Sequence, residues 1–136
     1  MKDLKLIKFW LFDLDNTLYS GKTKVFEQID KKMSKYISEK LNVDINEAKK
    51  IQKSYFYQYD TTLRGLVKNH KIDAEDFLDF VHDINIDFLK QDLDLAKELE
   101  KLEGKKIIFT NGSKKHAINI TQKLGVDKYF DDIFDI

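Results

Sequence analysis

Cysteine and proline are both absent from this chain of 136 residues. Without cysteine there is no disulfide, no thiolate nucleophile and no zinc held by sulfur. An average chain of this length would carry about seven prolines. An excess of charge is missing too: 24 basic residues balance 24 acidic ones. Net charge therefore gives no reason to expect a nucleic-acid polymer or an anionic lipid surface as a partner. Long apolar runs are lacking. Lys2, Lys5 and Lys8 interrupt the N-terminal apolar residues, and the stretch from Ile7 to Phe12 is far too short for a signal core or a membrane span. No membrane partner is expected, and a cytoplasmic location is the default. The histidines His70, His82 and His116 stand at no metal-ligand spacing.

What is present is 42% hydrophobic and 35% charged, a balance that excludes a disordered tail. The length fits one domain, or one domain with a small insertion. Residues 7–12 form a short, aromatic-rich apolar segment that reads as a buried strand ending at Asp13. Val25, Ile29, Met33, Tyr36 and Ile37 then recur at three- and four-residue steps, which predicts an amphipathic helix over about 23–41. A second helix is predicted over about 45–59, followed by a weak break from Asp60 to Gly65. Asp73 reads as the N-cap of a third helix with Phe77, Phe80, Val81 and Ile84 inward. A fourth covers about 93–102 and stops at Gly104. Residues 106–110 are a second buried-type strand. Asn111-Gly112 would suit a hairpin, but Ile118, Ile120, Leu124 and the stop at Gly125 favour a helix. Residues 133–136 open a third strand.

The expected fold is α/β: a Rossmann-like parallel core, incomplete at about three strands, with an inserted helical cap. The second and third strands and the helix between them make a βαβ unit, whose strands are parallel. The core is read as residues 1–19 and 99–136, and the cap as 20–98.

Two segments carry chemistry. Asp13 and Asp15 stand two residues apart where the first strand ends, with α-carbons roughly 6–7 Å apart if the chain stays extended. Ligands of open parallel sheets bind beyond the carboxyl ends of the strands. Carboxylates clustered there suit magnesium, which takes hard oxygen ligands. The plain alternative is a solvated Asp-Asn turn. Thr110-Asn111-Gly112-Ser113 ends the second strand and opens a helix, so its hydroxyl, amide and backbone N–H groups could bind an oxyanion. The plain alternative is an N-cap.

Together these segments resemble the haloacid dehalogenase-like phosphatases. Asp13, Asp15 and Thr17 match the Asp-x-Asp-x-Thr motif of that family, and Thr110 matches its Ser or Thr at the end of the next core strand. The segments Phe12–Tyr19, Tyr59–Leu66 and Ile108–Ser113 further resemble the pyrimidine 5′-nucleotidase branch, which carries a helical cap between the first two core strands. The resemblance implies a small phosphorylated metabolite, possibly a nucleoside 5′-monophosphate, as substrate and Mg²⁺ as cofactor. Asp13 would attack phosphorus and Asp15 would serve as acid and then base. Mg²⁺ would bind the Asp13 carboxylate and the Asp15 carbonyl oxygen. Thr110 would hold a phosphoryl oxygen, aided by backbone at Asn111 and Gly112.

The chain departs from the family at Asp60, where Gly is usual, and at Gln91, where Pro is usual. The family's third motif, a Lys, and its fourth, an acidic pair, follow the third core strand. Lys114, Lys115 and Lys123 come too early to match, and Asp131, Asp132 and Asp135 precede or occupy the strand. The expectation is a C-terminally truncated chain with its first strand at a sheet edge, open to self-association. The alternative function is an inactive fragment or remnant acting as a binding module. Several other features have plainer readings. Gly21-Lys22-Thr23 lacks the first glycine of a phosphate loop, and Asn111-Gly112-Ser113 is a glycosylation sequon only formally. Arg64 reads first as a solvated helix charge. Tyr55, Phe56, Tyr57 and Tyr59 read first as cap core and second as a stacking surface for a base.

Overall fold

The aromatic segment near the N-terminus becomes strand β1 (Phe9–Phe12) in a computed structural model that describes residues 4–135. Five helices follow: α1 (Val25–Leu41), α2 (Ile45–Tyr59), α3 (Thr62–His70), α4 (Ala74–Val81) and α5 (Leu93–Lys101). Strand β2 (Lys105–Phe109), helix α6 (Lys114–Leu124) and strand β3 (Asp132–Phe134) complete the order. Among the described residues, six helices accompany one sheet of three parallel strands in the order β1-β2-β3. The fold is therefore α/β, and no described helix is long and apolar enough to cross a membrane.

The chain divides into two compact units, one formed by Met1–Thr23 with Asn85–Ile136 and one by Lys24–Ile84. The sequence pattern places these boundaries at 19/20 and 98/99. The difference is residues 20–23 and 85–98, the latter with most of α5, which cluster with the sheet. The backbone N–H of Asp92 donates to Leu124 O at 2.9 Å, tying the start of α5 to the end of α6.

In the sheet unit, Phe9 pairs with Lys105 and Phe12 with Ile108, while Phe109 pairs with Phe134. Side chains alternate across a strand, so one face carries Trp10, Phe12, Lys106, Ile108 and Ile133. Ile108 is fully buried there, and the Phe12 ring meets Phe130 edge-on at 5.5 Å. The other face carries Phe9, Leu11, Phe109 and Phe134, which are 60%, 69%, 61% and 52% exposed. Strand β1 lies at an edge of the sheet. Gly104, with φ +97°, turns the chain into β2; a Cβ there would meet Ile7 O at 2.7 Å. Only glycine combines that backbone with that approach.

In the helical unit, α1 packs on α2 and α4, and α2 on α3. Ile29, Tyr36, Ile37, Ala48, Leu63, Leu66, Phe77 and Val81 form its buried core. Asp73 caps α4 as the sequence suggests, and Asp44 and Thr61 cap α2 and α3 in the same way: each accepts from the backbone N–H three residues on. Helix α3 is a correction. Within Asp60 to Gly65, the stretch read as a weak break, a nine-residue helix begins at Thr62 and runs to His70. Its sequence holds only Leu63, Leu66 and Val67 as large apolar residues and contains Gly65, so its helical period is hard to see. Gly65 is there for space, since a Cβ would fall 2.5 Å from the Tyr55 Cβ. Asp60, where the resembled branch has Gly, ends α2 with φ 67°. That left-handed conformation favours glycine, so the departure retains the shape at a modest backbone cost.

Candidate active site

Strand β1 delivers the two carboxylates. Asp13 follows Phe12 and is exposed; Leu14 is fully buried; Asp15 is half-buried. A turn then closes, with the N–H groups of Thr17 and Leu18 donating to Leu14 O at 3.2 and 3.0 Å. Asn16 takes φ 58° within it, a conformation asparagine tolerates. Burial of Leu14, Leu18 and Tyr19 anchors the turn. The Asp13 carboxylate accepts the Leu14 N–H on Oδ1 at 2.9 Å and the Thr17 hydroxyl on Oδ2 at 3.1 Å. Thr17, the third member of the motif, thus orients the first.

Asp15 is held differently. Its Oδ1 accepts the Tyr19 hydroxyl at 2.6 Å and meets His116 Nε2 at 2.9 Å. With Oδ1 as the acceptor on both sides, Nε2 carries the proton in this pair. Burial pushes the Tyr19 phenol far up from its ordinary range, and the Asp15 charge and hydrogen bond push it further. Tyr19 therefore stays a neutral donor.

Strand β2 delivers Thr110, which follows Phe109 and is buried. Its N–H donates to Phe134 O at 2.9 Å, and its Oγ1 accepts the Gly112 N–H at 3.0 Å. The Gly112 N–H is thus spent on orienting Thr110, whose hydroxyl proton remains for donation. Asn111 is exposed at the same turn. Ser113 caps α6 by accepting the His116 N–H at 3.1 Å, which is the plainer reading of this segment. The hairpin alternative is not adopted, because α6 follows. Asp135, just past β3, accepts the Lys114 N–H on Oδ2 at 2.8 Å, again at the start of α6.

Asp13 and Thr110 leave the same end of neighbouring parallel strands, given the pairing of Phe12 with Ile108. Strands lie about 4.8 Å apart, so the two turns form one rim. The structure thus joins Asp13, Asp15, Thr110, Asn111 and Gly112 on a single unit. It adds two residues that sequence patterns do not single out for chemistry, His116 and Tyr19. For His116 the available signal is its place three residues after an N-cap that follows a strand end.

The donors present fit magnesium in one specific way. No group of three or more His, Asp or Glu side chains converges among the described residues. The exposed Asp13 carboxylate is a sparse, all-oxygen donor. Magnesium commonly accepts such a donor, keeping waters and taking substrate phosphate oxygens for the rest.

The other singled-out residues have structural roles. Gly21–Thr23 is a single 3₁₀ turn, with the Thr23 hydroxyl on Ser20 O at 2.8 Å. Arg64 pairs with Asp60 at 3.4 Å in solvent. The Thr62 hydroxyl donates to Gln52 O at 3.0 Å, bracing α3 against α2. Tyr55 packs on the helical core, whereas Phe56 and Tyr57 are exposed and not part of it.

The family model for haloacid dehalogenase-like hydrolases matches residues 7–136. Phosphate metabolism protein 8 of Saccharomyces cerevisiae is 35% identical over 137 aligned residues, covering 93% of this chain and 42% of that protein. The chain thus spans about two fifths of that curated relative's length. Among solved structures, the candidate HAD-hydrolase YfnB from Bacillus subtilis, crystallised with magnesium, is similar at TM-score 0.47 and 18% identity, over 94% of this chain and 64% of that one. A candidate phosphatase from Clostridium difficile is similar at TM-score 0.44 and 17% identity, over 94% and 60% of the two chains. With the family match running through the Asp13–Asp15 turn, the Thr110 turn and the helix that carries His116, the chain belongs to the haloacid dehalogenase-like hydrolases.

Proposed function

We propose that this chain carries the nucleophile and phosphate-holding half of a phosphomonoesterase site acting on a small phosphate ester, with a nucleoside 5′-monophosphate as the favoured substrate. The observation that carries this reading is the shared rim of β1 and β2. An exposed carboxylate, Asp13, and an oriented hydroxyl, Thr110, leave neighbouring strand ends, with a second, gripped carboxyl at Asp15. The name of the yeast relative, a phosphate metabolism protein, is in keeping with a phosphate ester. The nucleotide preference rests on the resemblance of Tyr59–Leu66 to the nucleotidase branch.

The chemistry runs in two steps. An Asp13 carboxylate oxygen bonds to phosphorus while the bond from phosphorus to the ester oxygen breaks. The departing oxygen takes the proton of Asp15. Asp15, now ionised, removes a proton from water as that water bonds to phosphorus and the aspartyl oxygen leaves. Thr110 donates to a phosphoryl oxygen and holds the group in line. Bound at the Asp13 carboxylate and the Asp15 carbonyl, Mg²⁺ would offset the repulsion between carboxylate and phosphate.

Asp13→Asn tests the reading with little change in volume. Turnover of nucleoside monophosphates should fall by at least about a thousandfold, and EDTA should abolish it in the parent chain. Unchanged turnover in either case defeats the aspartyl-phosphate route. A second reading, a binding module without turnover, is favoured by one observation: the bare apolar face of Phe9, Leu11, Phe109 and Phe134, which could associate with another copy along the open β1 edge. A parent chain that hydrolyses no phosphate ester but self-associates would select it.

A further inference from the structure

Asp15 has two donors on one oxygen, and they come from opposite ends of the sequence. Tyr19 lies four residues on, in the same turn; His116 lies 101 residues away, in the first turn of α6. Both donors are themselves fixed. Tyr19 is 5% exposed, and the His116 side chain is 2% exposed with its backbone N–H held by Ser113. The Asp15 side chain, at 16%, still reaches solvent. A carboxyl group swings easily about its last torsion, which has a broad two-fold profile. One hydrogen bond would leave that swing in place. Two bonds to the same oxygen, from separately anchored donors, remove it.

We propose that His116 and Tyr19 are positioning residues that set the plane of the Asp15 carboxyl by gripping Oδ1 from two sides. The inference rests on the reading of Asp15 as acid and base. Each carboxylate oxygen offers two lone-pair sites, and the two donors fill those of Oδ1. The proton that goes to the leaving oxygen is then carried on Oδ2, and the grip decides where Oδ2 points. His116 also joins the β1 turn to the start of α6, so the acid and the Thr110 turn are held in register by one side chain. Neither residue touches the substrate in this scheme; both act through Asp15.

The test compares His116→Leu, His116→Gln and Tyr19→Phe with the parent chain on two substrates. Phenyl phosphate has a poor leaving group and needs the acid. Para-nitrophenyl phosphate has a good one and needs it little. A misaimed acid should lower kcat/KM for phenyl phosphate by about 10- to 100-fold, and for para-nitrophenyl phosphate by only a few-fold. His116→Gln, whose amide N–H can take the place of Nε2–H, should recover most of the loss seen in His116→Leu. Equal losses on both substrates, or a Gln variant no better than Leu, would overturn the proposal. Nitrogen-15 spectra of the His116 ring in the metal-free chain give a readout independent of turnover. The proton should sit on Nε2, and the ring signals should move in both Tyr19→Phe and Asp15→Ala. A proton on Nδ1, or ring signals indifferent to Asp15→Ala, would also overturn it. A parent chain without turnover defeats the phosphatase reading, and the ring spectra then decide the grip by themselves.

Discussion

The helical unit closes its core on itself, whereas the sheet unit buries one face and leaves the other bare. In the helical unit, each amphipathic helix needs one covered stripe, and four helices packed in neighbouring pairs supply it. Tyr36 meets Phe77 edge-on at 5.1 Å inside that core, and the Tyr36 hydroxyl reaches Asp76 at 2.7 Å. In the sheet unit, a parallel strand needs cover on both sides. Ile108 has it and Phe109, the next residue, does not. Both units hold fully buried side chains, Leu14, Ile108, Ile120 and Val126 among them in the sheet unit, but every candidate catalytic group lies in the unit whose sheet keeps one face bare.

Two substitutions sharpen this contrast by attacking the closed core. Phe77→Ala removes a fully buried ring and its edge contacts, and should destabilise by about 3–5 kcal/mol. A denaturant titration followed by helical circular dichroism measures it. A loss under about 1 kcal/mol would mean that the core is loosely packed and the comparison is wrong. Gly65→Ala should cost less, roughly 1–3 kcal/mol, because a single methyl group must push the base of the Tyr55 side chain aside. If Gly65→Ala is neutral or stabilising, as for an ordinary helical glycine, α2 and α3 do not approach so closely in solution.

Most of what was legible in the sequence was local. Helix α2 spans the 45–59 range expected from its pattern, and α1 and the strands differ by only a few residues at their ends. Strand-end carboxylates and the Thr110 turn were legible because each is a short run beside an apolar segment. Helix α3 was not, because nine residues with one glycine show barely two turns of period. The membership of α5 was not legible either, since an amphipathic pattern records that a face is buried and not against what. His116 is the clearest case. Its bond to Asp15 crosses 101 positions and belongs to no local pattern, so spacing rules for histidine pass over it.

The smallest expected effect tests the bare face itself. Leu11 is 69% exposed on β1, between Phe9 and the edge-on ring of Phe12 in sequence, and opposite Ile107 in register. Leu11→Thr keeps a residue suited to strands and removes apolar surface that already faces water. For a monomer in solution the change should lie within about 0.5 kcal/mol, far below that of Phe77→Ala. The variant should also self-associate less at high concentration, read by light scattering, because it breaks the apolar patch beside the open edge. The opposite result would be as informative. If Leu11→Thr lowers stability by about 2 kcal/mol or more, and the loss grows with protein concentration, the face is covered in solution by a second copy, because only association makes stability depend on concentration. The two faces of the sheet would then be alike in burial, and the asymmetry between the units would belong to the single chain alone.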